Sequence, residues 1–165
     1  MLSFNPGMTE LQTKKQVFLT TDGACIGNPG PGGWACILRY KGHCRELSGS
    51  ERSTTNNRME LKAVIEGLRA VKESCSITVR TDSQYLRDGM TKWIHNWKAN
   101  AWQHKVKGEG RQPVKNRDLW EELDLLAQNH EIRWLWVKGH SSDEDNNRCD
   151  DLATRAARRA PLGNR

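Results

Sequence analysis

The chain has 165 residues, 36% of them hydrophobic, with 26 basic against 20 acidic side chains and a net charge of +6. That is apolar content for one compact domain rather than a disordered polymer, and no apolar run approaches the ~20 residues of a membrane-spanning helix. Five cysteines, odd in number, scattered and never in Cys-x-x-Cys, argue against zinc and for a reducing, cytoplasmic compartment, while the basic excess suits a polyanionic partner.

Residues 1–14 read as a flexible polar tail, and Met1 to Met8 has neither the basic n-region nor the apolar h-region of a signal peptide. Val17-Phe-Leu-Thr-Thr-Asp22 is the first strand, ended by Gly23. Apolar residues occur on both of its faces, which predicts a central strand covered on two sides. A carboxylate at the end of such a strand needs a cation or donors; the plainer alternative for Asp22 is a turn cap. Trp34–Tyr40 is a second strand, Lys41-Gly42 a turn and Cys44–Ser48 a short third strand, which short connections make an antiparallel meander.

Thr54-Thr-Asn-Asn57 opens a helix in which Leu61, Val64, Ile65, Leu68 and Val71 recur at helical spacing. Glu60 sits in its first turn, and Gly67 permits close approach to the sheet. Ile77–Asp82 is the fourth strand and repeats the Thr-Asp ending of the first. A strand–helix–strand crossover is right-handed and makes it parallel to a neighbour; beside the first strand, ~5 Å away, it brings Asp82 next to Asp22. Short helices follow from Ser83-Gln84 and over Thr91–Lys98, then a basic excursion. Asn116 caps a further helix with Leu119, Trp120, Leu123 and Leu126 as its stripe. Ile132–Val137 is the fifth strand, and the last helix turns Cys149, Leu152, Ala153 and Ala156 inward with Asp150 at the stripe's edge.

Asp22, Glu60, Asp82 and Asp150 thus converge on one end of a sheet. Four like charges repel by kilocalories at short range, which a fold tolerates when divalent cations neutralise them. An all-oxygen donor set points to Mg²⁺ or Mn²⁺, and two such ions can clamp the attacking and leaving oxygens of a phosphodiester. The alternative on spacing alone is four unrelated caps and surface acids.

Thr21-Asp-Gly-Ala-Cys-Ile-Gly-Asn-Pro-Gly30, Thr54-Thr-Asn-Asn-Arg-Met-Glu-Leu61, Thr81-Asp-Ser-Gln84, Trp136-Val-Lys-Gly-His140 and Asn147-Arg-Cys-Asp150 closely resemble bacterial type 1 ribonuclease H, over roughly Lys15 to Arg159. The resemblance implies an α/β domain over 15–159 with a five-stranded mixed sheet, three antiparallel strands then two parallel, flanked by helices; 160–165 form a second tail. It implies a Mg²⁺-dependent endonuclease that cuts the RNA of RNA/DNA hybrids by two-metal-ion catalysis, with Mn²⁺ as a possible substitute, leaving 3′-hydroxyl and 5′-phosphate ends. Asp22, Glu60, Asp82 and Asp150 would hold the metals, Glu60 also meeting a ribose hydroxyl, and His140 would move protons or help product leave. Cys25, Asn28, Asn56, Asn57 and Gln84 match positions at the hybrid's minor groove, Thr55 and Arg58 positions at a backbone phosphate. Trp93, Trp97, Lys98 and Trp102 match the DNA-strand face, with core packing as the alternative for the tryptophans. A monomer with no membrane attachment and no obligatory protein partner is expected.

Three departures from the family pattern stand out. Gly108-Glu-Gly110 looks inserted, Lys98-Ala-Asn100 is thin in charge, and Ser141-Ser-Asp-Glu-Asp145 is acidic beside the metal site, where its charge is expected to tune metal and substrate affinity. Two other classes compete: a nuclease or strand-transfer domain acting on DNA, and a catalytically silent hybrid-binding module. The Asn56-Asn57 and Gln84 set argues against the first, the intact acids against the second.

Overall fold

Residues 14–138 and 143–160 are described in this computed structural model; most of the expected tails, and His140 with its neighbours 139, 141 and 142, lie outside the described residues. The chain runs β1 (Gln16–Cys25), β2 (Gly30–Tyr40), β3 (His43–Thr54), α1 (Asn56–Ala70), β4 (Ser76–Thr81), α2 (Gln84–Asp88), a π-helical turn (Gly89–Trp93), α3 (Ile94–Ala99), β5 (Gln103–Val106), β6 (Gly110–Pro113), α4 (Arg117–Ala127), β7 (Glu131–Trp136) and α5 (Glu144–Arg159). β5 and β6 form a separate hairpin. The other five strands form the expected mixed sheet, in the order β3-β2-β1-β4-β7, with β1 to β3 antiparallel and β4 and β7 parallel to β1.

α1 lies on the Val17–Leu19–Thr21 face of β1. Gly67 allows this, since a Cβ there would meet Leu19 Cδ1 at 2.6 Å. Leu19, Leu61, Ile65, Ile77, Val79, Trp120 and Leu123 fill the space between sheet, α1 and α4, each fully buried chain contributing about 1.5–3 kcal/mol. α5 covers the opposite face, where Cys149 Sγ donates to the Thr20 carbonyl at 3.3 Å. It lies mainly across β1, β2 and β3. Phe18 is therefore 55% exposed and Leu135 40% exposed, so β1 is not covered on both sides along its whole length.

Local expectations needed four corrections. β3 extends six residues past Ser48 because it stays paired with β2 up to Thr54. Glu60 lies one residue beyond the first turn of α1, which contains no acid. α2, the π-helical turn and α3 are contiguous, and Gly89 between them leaves room for the Trp120 ring, which a Cβ would overlap. Asn116 stands at the start of α4 but caps nothing with its side chain. Its backbone is left-handed (φ 61°), its Oδ1 accepts from Arg58 at 3.2 Å, and its amide donates to Tyr85 Oη at 3.0 Å.

Candidate active site

The parallel register explains how two distant carboxylates meet. The first five β1 residues each pair with the β4 residue sixty positions later, from Gln16 with Ser76 to Thr20 with Arg80. Two residues further, the same register sets Asp22 opposite Asp82. Glu60 arrives from α1. Gly23 has no Cβ, and one placed there would stand 2.6 Å from the Glu60 amide nitrogen and the Met59 carbonyl carbon. Thr55 fixes the helix start, its Oγ1 accepting from Arg58 N–H at 3.2 Å.

As a result, Asp22, Glu60 and Asp82 each bring a carboxylate oxygen within 4.8 Å of the others. Asp22 is 7% and Glu60 6% exposed. Burial, then the Asp82 charge, pushes the Asp22 carboxyl up to about 7; the Gly23 N–H, 2.9 Å from Oδ1, opposes this and Asp150 adds to it. Burial first, then Asp22 and Asp82, raise Glu60 well above the ordinary carboxylate range. Among the described residues no donor reaches Glu60 Oε2. A buried acceptor without a donor is costly, and a cation would satisfy it. The three oxygens fit a hard divalent ion on charge and donor type alike. Asp150 is exposed on α5, outside that group of three, and reaches it through its charge.

The proposed contact residues divide into those that look outward and those that hold the scaffold. Asn57 and Gln84 are exposed. Asn28 ties the β1–β2 turn to α1, its Oδ1 accepting from Asn56 N–H at 3.0 Å. Cys25 Sγ lies 3.5 Å from the Gly30 carbonyl and 3.4 Å from that of Thr54. Arg58 is engaged by Asp118, at 3.0 and 2.8 Å from its two oxygens. Lys98 Nζ stands 3.2 Å from Asp124 Oδ2. Trp97 packs on Trp120 and Trp102, with ring centroids 5.3 and 6.4 Å apart, whereas Trp93 lies at the rim, 38% exposed. The acidic run is also occupied: Asp143 caps α5 and pairs with Arg80, and Asp145 takes Arg39 in two hydrogen bonds of 2.5 and 2.8 Å. Sequence reasoning missed Gly23, whose only signal was its place directly after Asp22.

The family model for RNase H matches residues 14–158. Ribonuclease HI of Neisseria meningitidis serogroup B is 56% identical over 141 residues, 86% of this chain and 94% of its own length. Ribonuclease H of Cronobacter sakazakii is 56% identical over 148 residues, 90% of each chain. Among solved structures, LC9-RNase H1, a type 1 RNase H with the type 2 active-site motif, is 34% identical with a TM-score of 0.77, covering 87% of this chain and 72% of its own.

Proposed function

The chain belongs to the ribonuclease H family, and from that premise we propose that it is an endoribonuclease hydrolysing the RNA strand of RNA/DNA hybrids at Asp22, Glu60 and Asp82, assisted by Asp150 and His140. The observation that carries this is the convergence of three carboxylate oxygens within 4.8 Å, two from the carboxyl-terminal parts of two adjacent parallel strands and one from near the amino end of α1. Their all-oxygen chemistry and the donorless Glu60 Oε2 suit two Mg²⁺ ions, with Mn²⁺ as a substitute.

Bound there, the ions would supply Lewis acidity toward the phosphodiester and lower the pKa of water at the site. The chain's own groups do the rest. Asp22 and Asp82, on two adjacent strands, would hold the ions and through them fix where the scissile phosphate sits. Glu60, held by its contact with Gly23, faces the ribose 2′-hydroxyl. Water oxygen bonds to phosphorus as the P–O3′ bond breaks, and the O3′ takes a proton, leaving a 3′-hydroxyl and a 5′-phosphate. His140 moves a proton in that exchange, its ordinary pKa lying near neutrality. Asn28, Asn56, Asn57, Cys25 and Gln84 border the minor groove, where 2′-hydroxyls distinguish RNA without reading sequence. Thr55 and Arg58 flank a backbone phosphate. Trp93, with Trp97, Trp102 and Lys98 behind it, faces the DNA strand.

We assign this activity to residues 15–159, acting as a cytoplasmic monomer without an obligatory protein partner. No helix among the described residues is long and apolar enough to cross a membrane. Incubating the protein with end-labelled RNA/DNA, RNA/RNA and DNA/DNA duplexes in Mg²⁺ tests the assignment. Cleavage confined to RNA in the hybrid, with 5′-phosphate ends, supports it. Cleavage of DNA, or binding without cleavage, rejects it.

A further inference from the structure

Beyond Asp82, on the side away from β1, the sheet end opens into a cleft of about 530 Å³ bounded by the Asp82–Gln84 turn, Arg87, Trp136 and Lys138. The backbone builds it. Thr81 pairs with Trp136, and Val137 N–H donates to the Thr81 carbonyl at 3.0 Å, so the chain leaving β7 runs beside the chain leaving β4. Ser83 caps α2, its Oγ accepting from Leu86 N–H at 3.1 Å, and the helix begins directly after Asp82 and this cap. Gln84 and Arg87, three residues apart on α2, share a face. Trp136 stacks on Trp134, with centroids 5.6 Å apart and planes 4° from parallel. One face of its ring is thereby taken.

A cleft that begins at a carboxylate should repel an anion, yet this one carries two cations. Lys138 is exposed and makes no ion pair among the described residues. The Arg87 ion pair is with its neighbour Asp88, Nε to Oδ1 at 3.8 Å, a partly exposed contact of little strength that leaves guanidinium donors for another acceptor. Neither residue takes part in the carboxylate site or in the groove set around Asn28 and Asn57.

We propose that this cleft receives the RNA strand on one side of the scissile position, Arg87 and Lys138 each holding a phosphate next to the one at the carboxylates. The assignment rests on the functional reading above and deepens it. The strand is the cleaved one because the cleft is continuous with Asp82. The ligand is backbone phosphate rather than base because the cleft offers paired cations and only one aromatic wall, already stacked. Arg87 and Lys138 are binding residues, with no part in bond making.

The test compares wild type with Arg87→Gln/Lys138→Gln on a hybrid cut at one defined position, at low and moderate salt. It then uses hybrids in which single linkages flanking that position are uncharged methylphosphonates. The double variant should raise KM about tenfold at low salt, with a much smaller change in kcat. It should also flatten the log–log salt dependence by about 0.9 for each phosphate it no longer neutralises, as for duplex DNA. Neutral linkages at the positions held by the two cations should weaken wild type similarly and the double variant hardly further. Arg87→Lys/Lys138→Arg, which keeps the charge, should stay near wild type. An unchanged KM and salt slope in the double variant, or a neutral linkage weakening both proteins equally, overturns the cleft assignment alone. A wild-type protein that leaves the hybrid intact overturns the functional reading and this assignment with it.

Discussion

Gly23 and Glu60 are packed backbone to backbone: a Cβ on Gly23 would stand 2.6 Å from the Glu60 amide nitrogen. This contact, between the residue after one buried carboxylate and the residue bearing the next, sets the spacing of the site. It cannot be relieved by a side-chain rotation, because the atoms met are main chain. Gly23→Ala should therefore push α1 away from β1 and carry the Glu60 carboxylate with it. Overpacking of this kind costs about 1–3 kcal/mol. The expected outcome is a lowered Tm together with a raised Mg²⁺ requirement for half-maximal cleavage. An alanine variant matching wild type in both would mean that the spacing is set elsewhere.

The same burial makes the acids a source of instability when no cation is present. Asp22 has a folded value of about 7 against an ordinary 3.8. A raised carboxyl value favours the protonated folded state, so this contribution is complete below about pH 4 and is lost as pH rises through about 7. Asp22→Asn keeps the neutral form at every pH. In metal-free buffer the variant should melt several degrees above wild type at pH 8, at about 2–4 °C per kcal/mol for a chain of this size. Near pH 4 the two should nearly coincide. Asp118, Asp145 and Glu46, whose values are lowered by Arg58, Arg39 and Arg148, slope the other way but are common to both proteins and cancel. Calorimetry across pH decides the matter; a variant no more stable than wild type at pH 8 would contradict it.

The two strand endings are legible because β-rich runs closing in Thr-Asp recur at Asp22 and Asp82, and a crossover helix leaves few ways to place them. Other features depend on geometry that composition does not carry. Asn116 has a cap-forming side chain, but a left-handed backbone and the demands of Arg58 and Tyr85 turn it to another use. The β5–β6 hairpin is not legible because Gln103–Val106 and Gly110–Pro113 have no apolar alternation; its turn depends on Gly108 and Gly110, with φ of 81° and 71°. Trp97 and Trp102 read as a nucleic-acid face, yet both pack into the cluster around Trp120, a distinction that only tertiary contacts make.

The acidic run near α5 reads in the sequence as a modulator of metal and substrate affinity. Its contacts give it a structural role. Asp143 accepts from Asn146 N–H at 3.0 Å as the helix cap, and Asp145 holds Arg39. Asp143→Ala should cost about 0.5–2 kcal/mol, the usual value of removing a cap. The Mg²⁺ concentration for half-activity should barely move. Denaturant unfolding alongside a Mg²⁺ titration separates the two effects, and a shifted titration at unchanged stability would restore the electrostatic role.

His140→Ala should slow turnover severalfold or more without abolishing it, as general acid–base groups contribute about 10²–10⁴-fold and less where water substitutes. The pH–rate profile should lose a limb near neutrality. A profile of unchanged shape would remove His140 from proton movement.

The most direct measurement is turnover of a labelled RNA/DNA hybrid by Asp82→Asn at saturating Mg²⁺, with hybrid affinity measured on the same preparation. The substitution keeps side-chain shape and removes one charge from the group of three oxygens. We predict cleavage reduced by at least about a hundredfold, the scale of losing a group that stabilises developing charge, with hybrid affinity little changed. Turnover close to wild type in the folded Asp82→Asn protein would contradict the assignment of the carboxylate cluster as the catalytic metal site.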